Sequence, residues 1–312
     1  MQTFTTFQNS RWVLKVLISA FATVILAASG AVAGSGKPPT TAPVIALVTR
    51  GANFLKINFA HGRAVGAKAY QYSLDSGITW VDGNVRSDSI TVTPFPLSSR
   101  ARISLRGVNE SGAGPASKIY GDTRVVYLGA SITLGDGVSG NSWAKMAASS
   151  MGWQYTNLAF SGSGFLHPTK NGASCSGARN FQMQVSCGVP WLPDIVVISG
   201  GSNDCNEAEH KQSASRLQTQ IQSTLASAKS LFPTAEIIVT PIITPAVSPC
   251  FKKINNWISD SASSNSIEFV AGSEKWIARQ KSEFSIDGVH PNLRGHAYVA
   301  EQFVNWYENL HQ

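Results

Sequence analysis

Charged residues are scarce in this chain: they make up 14% of its 312 residues, whereas 43% of the residues are hydrophobic. This composition argues against intrinsic disorder, and the length allows two domains. The 25 basic residues exceed the 18 acidic ones by seven, a mild excess for this length. The sequence has no dense basic run and no base-stacking motif, so we expect no nucleic-acid partner and at most an anionic wall polymer.

Histidine and cysteine are also few, and neither has the spacing of a metal site. The four cysteines lack the paired spacing of zinc ligands, and the six histidines are scattered. We therefore expect no metal and no cofactor. The histidines expected mostly at the surface or at helix caps are His61, His167, His210, His296 and His311.

Long apolar runs are absent except near the amino terminus. Two basic residues precede an apolar stretch at residues 16–26, and Ala31 and Ala33 follow it. This pattern predicts a secretory signal peptide over residues 1–33, cleaved after Ala33, rather than an uncleaved anchor. We expect a secreted or periplasmic protein with no stable membrane span after processing, and a flexible linker at residues 34–42.

Residues 43–122 alternate between apolar and polar positions with a period of two. Such alternation predicts short strands with one buried face. The apolar positions are Leu55, Ile57 and Phe59; Tyr70, Tyr72 and Leu74; Ile90 and Val92; and Ile103 and Leu105. Turn signals rich in Gly, Asp and Asn separate these runs at intervals that suit an all-β sandwich.

The stretch 106–117 resembles the closing strands of a fibronectin type III domain. The chain departs from that family at Phe59, where a core Trp is frequent, and at Ala101, where the corner Tyr is usual. The resemblance implies a fibronectin type III-like β-sandwich over residues 43–122, with a default role as spacer or accessory module. Exposed aromatics such as Trp80 can bind sugar rings, but packing within the module is the favoured interpretation.

From residue 123 onward, strand-like and helix-like segments alternate. This alternation predicts a parallel sheet with helices on both faces, because right-handed crossovers fold back onto the sheet. Predicted strands cover residues 125–128, 153–158, 195–198, 236–240 and 267–270, and predicted helices cover 142–149, 207–231, 254–261 and 293–310. No Gly-x-Ser-x-Gly motif occurs, which argues against the α/β-hydrolase fold.

All four cysteines lie in this second region, and an even count after a predicted leader favours disulfides over a metal. Cys205 follows the third predicted strand and Cys250 the fourth, and neighbouring parallel strands would bring those loops together. Of the three connectivities we favour Cys175–Cys187 with Cys205–Cys250. The first two cysteines belong to an aperiodic segment, residues 163–192, which is long enough to be functional and to wall an acyl pocket.

Ser131 lies where the first predicted strand breaks into a glycine-rich loop, and open α/β sheets bind their ligands at such strand ends. Near the other end of the chain, Asp287 and His290 are three residues apart on one loop. This spacing lets the carboxylate accept a bond from the imidazole Nδ1–H while Nε2 faces a hydroxyl, the arrangement that activates a serine. Gly162 and Asn203 lie in two further loops that follow strand-like runs.

These four loops, in this order, resemble the sequence blocks of the SGNH (GDSL-type) serine hydrolases. The resemblance covers residues 123–312 and implies a flavodoxin-like, three-layer α/β/α domain. The roles it implies are Ser131 as nucleophile, His290 as base, Asp287 as the orienting carboxylate, and an oxyanion hole made by the backbone N–H groups of Ser131 and Gly162 and the side chain of Asn203. The chain departs from the family at Ala130, usually Asp, and at Gly164, often Thr or Ser, which bears on substrate preference more than on catalysis.

The resemblance implies a serine esterase that hydrolyses carboxylic esters through an acyl-enzyme. A secreted form joined to a fibronectin-like module favours acetyl or short acyl groups, on a small molecule or a polysaccharide. Two alternatives stay open: an acyltransferase that uses the same site, and a binding or adhesion protein with an inactive hydrolase scaffold. The serines that compete with Ser131 for the role of nucleophile are Ser161, Ser163 and Ser202.

Overall fold

The computed structural model describes residues 36–59, 64–83, 88–167, 175, 180–209 and 211–312. The predicted signal peptide and its cleavage site lie outside these residues, as do His61 and His210. Within the described part of the chain, no helix combines the length and the apolarity that crossing a bilayer requires.

Strands and helices alternate after residue 123, whereas strands alone are described before it. The strands are β1 (Ile45–Arg50), β2 (Leu55–Phe59), β3 (Ala69–Ser73), β4 (Val81–Asp82), β5 (Ser89–Val92), β6 (Ser104–Asn109), β7 (Gly112–Ala116), β8 (Arg124–Gly129), β9 (Gln154–Asn157), β10 (Ile195–Ser199), β11 (Glu236–Thr240) and β12 (Glu268–Phe269). The helices are α1 (Ser131–Leu134), α2 (Trp143–Met151), α3 (Phe181–Gly188), α4 (Cys205–Glu209), α5 (Lys211–Leu231), α6 (Pro249–Ser264), α7 (Lys281–Phe284) and α8 (Leu293–Leu310).

The main sheet has eight strands in the order β12-β11-β10-β8-β9-β1-β2-β5. Neighbouring strands are parallel from β12 to β1, and β2 and β5 continue the sheet in antiparallel orientation. From β8 to β12 the strands follow the flavodoxin-like order, in which the first strand lies between the second and the third. The predicted α/β fold with a parallel sheet is thus confirmed.

Helices cover both faces of the parallel strands, since the central strands bury side chains on both sides. On one face, Val126 of β8 belongs to a core that includes Ile221 of α5. On the other face, Tyr127 packs against Trp143 of α2, which in turn contacts Phe303 of α8. Because successive residues of β8 enter different cores, the strand appears in the sequence as one continuous apolar run.

The strands of residues 43–122 form two layers around a third core. β1, β2 and β5 belong to the main sheet, whereas β4, β3, β6 and β7 form a second sheet in that order. The predicted period of two is confirmed, because Leu55 and Ile57 of β2 and Leu105 of β6 are fully buried. Side chains from both sheets fill this core, so the two layers pack face to face.

β1 also joins the two parts of the chain, a contact that the sequence does not indicate. It pairs in parallel with β9, with Val48 opposite Gln154. The buried guanidinium of Arg50 donates to Gln154 Oε1 at 3.2 Å and to three backbone carbonyls of residues 96–99. Burial, together with the nearby Arg124, lowers the pKa of Arg50 to about 10. Without β1, the β9 edge of the parallel sheet would be open.

Some predicted boundaries shift by a few residues. Helix α2 begins at Trp143, one residue later than predicted, with Ser142 as its cap. Helix α6 begins earlier than predicted because Ser248 caps it and Pro249 suits its first position. The predicted helix at 207–231 corresponds to α4 and α5, and helix α3 has no predicted counterpart, while α8 matches its prediction.

Both predicted disulfides are present, Cys175–Cys187 and Cys205–Cys250, each with a Cα–Cα distance of 5.5 Å. The second joins the first turns of α4 and α6, the helices that follow the neighbouring parallel strands β10 and β11, as the strand-order argument requires. The first ties helix α3 to the segment that precedes it.

Candidate active site

Ser131 begins helix α1, two residues beyond the carboxyl end of β8. Gly129 is required at this strand end, because a Cβ there would collide with the carbonyl oxygen of Ser199 in the neighbouring strand. Ala130 is buried in the core that contains Phe181. An Asp side chain at this position would be desolvated unless it had polar partners.

A series of hydrogen bonds joins Ser131 to the late loop across 159 residues of sequence. Ser131 Oγ lies 3.0 Å from Nε2 of His290. The other ring nitrogen of His290, Nδ1, lies 2.7 Å from Oδ2 of Asp287. Of the serines in the described part of the chain, Ser131 is the one bonded to the imidazole ring of His290, whereas Ser285 Oγ donates to the His290 backbone carbonyl at 3.1 Å.

Asp287 is held by the backbone of its own loop. Its Oδ1 accepts the N–H groups of Val289 at 2.9 Å and His290 at 2.8 Å. These two bonds and the His290 side chain hold the pKa of the Asp287 carboxyl well below its usual range, with the His290 N–H as the largest cause. Gly288 between them has a φ of 91°, a left-handed conformation that favours glycine. The carboxylate therefore stays ionised and correctly aimed even though 52% of its side chain is exposed.

The loops that carry Gly162 and Asn203 are bonded to each other and to the end of strand β8. The N–H of Phe160 donates to the Gly129 carbonyl at 3.1 Å, which fixes the loop after β9 beside Ser131. Asn203 Nδ2 donates to the Ser163 carbonyl at 2.8 Å. That bond uses one amide hydrogen and leaves the second for another acceptor.

A buried carboxylate that the sequence analysis did not single out supports this second loop. Asp204 is fully buried, and it accepts the N–H groups of Phe165, Leu166 and His167 at 2.7 to 2.9 Å. A Cβ at Gly164 would overlap the same carboxylate. The glycine at this position, where the family often has Thr or Ser, is therefore required by the approach of Asp204.

Gln184 is a second supporting residue, and it lies in the helix that was not predicted. Its fully buried side-chain amide forms two hydrogen bonds with the backbone of Gly129. Oε1 accepts the Gly129 N–H at 2.7 Å, and Nε2 donates to the Gly129 carbonyl at 2.9 Å. Helix α3 thereby holds the strand end two residues before the nucleophile. No local pattern marks this glutamine, since its partner lies 55 residues away.

The expectation of surface histidines is wrong for His296, which is fully buried in helix α8. Its Nδ1 accepts the backbone N–H of Trp143 at 3.1 Å, so the ring is neutral with its proton on Nε2. Burial, and secondarily the charge of His290, lowers the pKa of His296 to about 4. The described residues contain no group of three or more His, Cys, Asp or Glu side chains placed to hold a metal ion.

A hydrogen-bonded serine, histidine and aspartate at the carboxyl edge of a parallel sheet are the arrangement of a serine hydrolase. Residues 127–298, more than half of the chain, match the GDSL-like Lipase/Acylhydrolase family. The chain belongs to this family and is a serine hydrolase that acts on ester bonds. A comparison with curated protein sequences found no match.

Solved structures similar to this chain include three enzymes of low sequence identity. A family two carbohydrate esterase from Clostridium thermocellum is 15% identical, with a TM-score of 0.48 over 85% of this chain and 93% of its own. A GDSL-like lipase from Bacteroides thetaiotaomicron is 21% identical, with a TM-score of 0.42 over 60% and 89%. An acetylxylan esterase from Geobacillus stearothermophilus is 16% identical, with a TM-score of 0.42 over 59% and 93%.

Proposed function

We propose that this protein is a secreted esterase that removes acetyl or other short acyl groups from a polysaccharide through an acyl-enzyme on Ser131. The observation that carries the proposal is the unbroken series of hydrogen bonds from Asp287 through His290 to Ser131. Such a series gives a serine hydroxyl a base at the distance that proton transfer requires.

In the proposed cycle, Ser131 Oγ attacks the ester carbonyl carbon while its proton moves to His290 Nε2. The tetrahedral oxyanion accepts hydrogen bonds from the backbone N–H groups of Ser131 and Gly162 and from the free amide hydrogen of Asn203. His290 then protonates the leaving alcohol, and the acyl group stays on Ser131. Asp287 keeps the imidazole in the tautomer that can accept the proton.

Deacylation repeats these steps with water in place of the serine hydroxyl. His290 takes a proton from water, the hydroxide attacks the acyl carbonyl, and the collapse of the intermediate returns the proton to Ser131 Oγ. Because 31% of the His290 side chain is exposed to solvent, water can reach the acyl-enzyme. This exposure favours water over another alcohol as the acceptor of the acyl group.

The preference for short acyl groups is supported by the space beside the nucleophile loop. A cavity lined by Ala130, Thr133, Ile242 and Ile243 has a volume of about 10 Å³. This is the room that one water molecule occupies. We place the methyl group of an acetyl ester in this space, which is too small for a long acyl chain.

Export and the amino-terminal fold belong to the same proposal. Both disulfides support an oxidising compartment, because such bonds are rare in the cytosol. A fibronectin type III-like sandwich for residues 43–122 is supported by the two layers, β1-β2-β5 and β4-β3-β6-β7. Packing is the favoured role of Trp80, whose ring lies 4.2 Å from the guanidinium of Arg106.

Product analysis on graded substrates tests the proposed function. We expect p-nitrophenyl acetate and O-acetylated sugars to be hydrolysed with stoichiometric release of acetate, and p-nitrophenyl octanoate to react far more slowly. Ser131→Ala should be inactive on all of them. Equal turnover of octanoate and acetate would contradict the short-acyl assignment, and transfer to an added alcohol in preference to water would indicate an acyltransferase.

A further inference from the structure

We propose that a groove between the two parts of the chain binds an acidic polysaccharide whose acyl groups are removed at Ser131, an inference that rests on the proposed function. The groove has a volume of about 850 Å³, within the usual range for ligand sites. One wall comes from β1, β2 and Phe54 between them, and the other from residues 139–150 and Tyr155. Neither part of the chain forms this groove alone.

The groove presents positive charge that no carboxylate opposes. Lys56 of β2 and Lys145 of α2 line it, and the described lining residues include no Asp or Glu. Neither lysine has an ion pair with a carboxylate in the described ranges. Lys145 Nζ donates to Asn141 Oδ1 at 2.8 Å, which orients the ammonium group along the groove wall. Two such groups favour a ligand that repeats its negative charge along a chain.

Aromatic and amide groups accompany the two lysines. Phe54 is 39% exposed and lines the groove, and the amides of Asn58 and Asn141 lie there too. A ring face can stack on the apolar face of a sugar, and an amide can bond its hydroxyl groups. Together with the charge, these groups favour a polysaccharide that contains uronic acids.

The groove begins where the catalytic loops end. The loop of residues 135–141 connects the nucleophile helix α1 to α2. Its Gly137 packs so closely on Ile286, next to the catalytic carboxylate, that a Cβ would lie 2.5 Å from that side chain. Ser139 lines the groove with a φ of 52°, a left-handed conformation that is uncommon for serine and concentrated at functional sites. A polymer in the groove therefore runs along this loop toward Ser131.

A binding experiment tests the groove apart from catalysis. It uses the full chain with Ser131→Ala, and de-esterified polygalacturonate as the ligand, measured by calorimetry at increasing salt. Lys56→Gln with Lys145→Gln should weaken binding at least about tenfold at low salt, because two exposed charge contacts are lost. Their loss should also flatten the salt dependence.

A matched control removes the same charge elsewhere. Lys252 and Lys275 line a second groove of about 630 Å³, which Glu274 and Arg279 also line. Lys252→Gln with Lys275→Gln should bind polygalacturonate as Ser131→Ala alone does. With Ser131 restored, both double variants should hydrolyse p-nitrophenyl acetate at the unsubstituted rate. The KM for O-acetylated polygalacturonate should rise about tenfold only when Lys56 and Lys145 are replaced.

Three results would overturn the groove assignment: no binding of polygalacturonate by the Ser131→Ala chain, unchanged binding after Lys56 and Lys145 are replaced, or an equal loss in the control. Phe54→Ala should weaken binding as well, and an unchanged affinity would contradict the stacking contact. If the chain hydrolyses p-nitrophenyl acetate but fails these binding tests, the esterase function stands and only the groove assignment is contradicted. If the chain is inactive on every ester, the proposed function is wrong. The binding measurement with polygalacturonate then still tests the groove by itself.

Discussion

The loop that carries Asp287 and His290 differs in kind from the buried side chains that hold the strand end before Ser131 and the loop after β9. The loop is short, partly exposed and bonded largely within itself, with contacts that span two or three residues of sequence. The supporting residues, Gln184 and Asp204, have fully buried side chains that form hydrogen bonds with backbone groups 37 to 55 residues away. Asp287 and His290 are thus oriented by local spacing, whereas the strand end before Ser131 and the loop after β9 depend on distant buried side chains.

This difference separates two kinds of effect on the enzyme. Replacing a reacting group should stop the chemistry and leave the fold intact, because its bonds are few and near solvent. Replacing a supporting residue should mainly lower the free energy of unfolding, because it leaves a buried polar group unpaired. Its effect on activity should be smaller. The predictions below test this separation.

The largest effect is expected for His290→Ala. Removing the base should lower kcat on the order of 10⁶-fold, the usual cost of losing a member of such a triad. The melting temperature should change little, since 31% of the side chain is exposed. Steady-state hydrolysis of p-nitrophenyl acetate measures kcat, and thermal unfolding of the same variant measures its melting temperature. A large loss of stability would show that His290 has a structural role like that of Gln184 and Asp204.

Asn203→Ala should lower kcat on the order of 10²–10³-fold, the usual effect of deleting one oxyanion donor, with KM nearly unchanged. Asn203→Asp is the matched control, because it keeps the size and removes the donor. The aspartate variant should be at least as slow as the alanine variant. A fully active aspartate variant would exclude a donor role for this side chain.

Gln184→Leu should destabilise the fold by roughly 1–3 kcal/mol, the cost of one unpaired buried group. The Gly129 N–H loses its acceptor, while the Gly129 carbonyl keeps its bond from the Phe160 N–H. A shifted strand end should lower kcat on the order of tenfold or more. Gln182→Leu on the same helix is the control for adding a leucine. Equal urea unfolding curves and equal kcat for the two variants would contradict the supporting role.

The smallest effect on activity is expected from replacing His296. This residue should instead lower the stability of the fold as the pH falls. Because burial lowers its pKa from 6.5 to about 4, the unfolded chain binds a proton between these values and the folded chain does not. The folded state should therefore lose up to roughly 3 kcal/mol as the pH falls from 6.5 to 4, with no contribution above that range. His296→Gln, which keeps an acceptor for the Trp143 N–H, should flatten this dependence in urea unfolding. An unchanged slope would show that other groups cause it.

The sequence was sufficient where structure follows from local pattern. The 3.6-residue period of α8, the period of two in β2 and the strand-end positions of Ser131 and Asn203 are all confirmed in the fold. The disulfides were predictable because strand order placed Cys205 beside Cys250. In each case the partner is near in sequence or on a neighbouring strand.

The sequence was insufficient where partners are distant and carry no motif. Helix α3 has a weakly amphipathic sequence, because it buries Gln184 as well as Phe181, so its period was not detected. The parallel pairing of β1 with β9 joins segments about a hundred residues apart, and nothing local to β1 distinguishes a sandwich edge from an addition to the main sheet. Asp204 bonds to the N–H groups of residues 165–167, which lie 37 to 39 residues away, and no local pattern marks these contacts.

Labelling with a serine-directed fluorophosphonate tests the central claim most directly, because it reports which hydroxyl is activated. Peptide mapping of the labelled chain should place the phosphonate on Ser131, the hydroxyl that lies 3.0 Å from His290 Nε2. His290→Ala and Ser131→Ala should both remain unlabelled while folded. Label on the peptide that contains Ser161, Ser163 or Ser202, or undiminished labelling in Ser131→Ala, would contradict the assignment of Ser131 as the nucleophile.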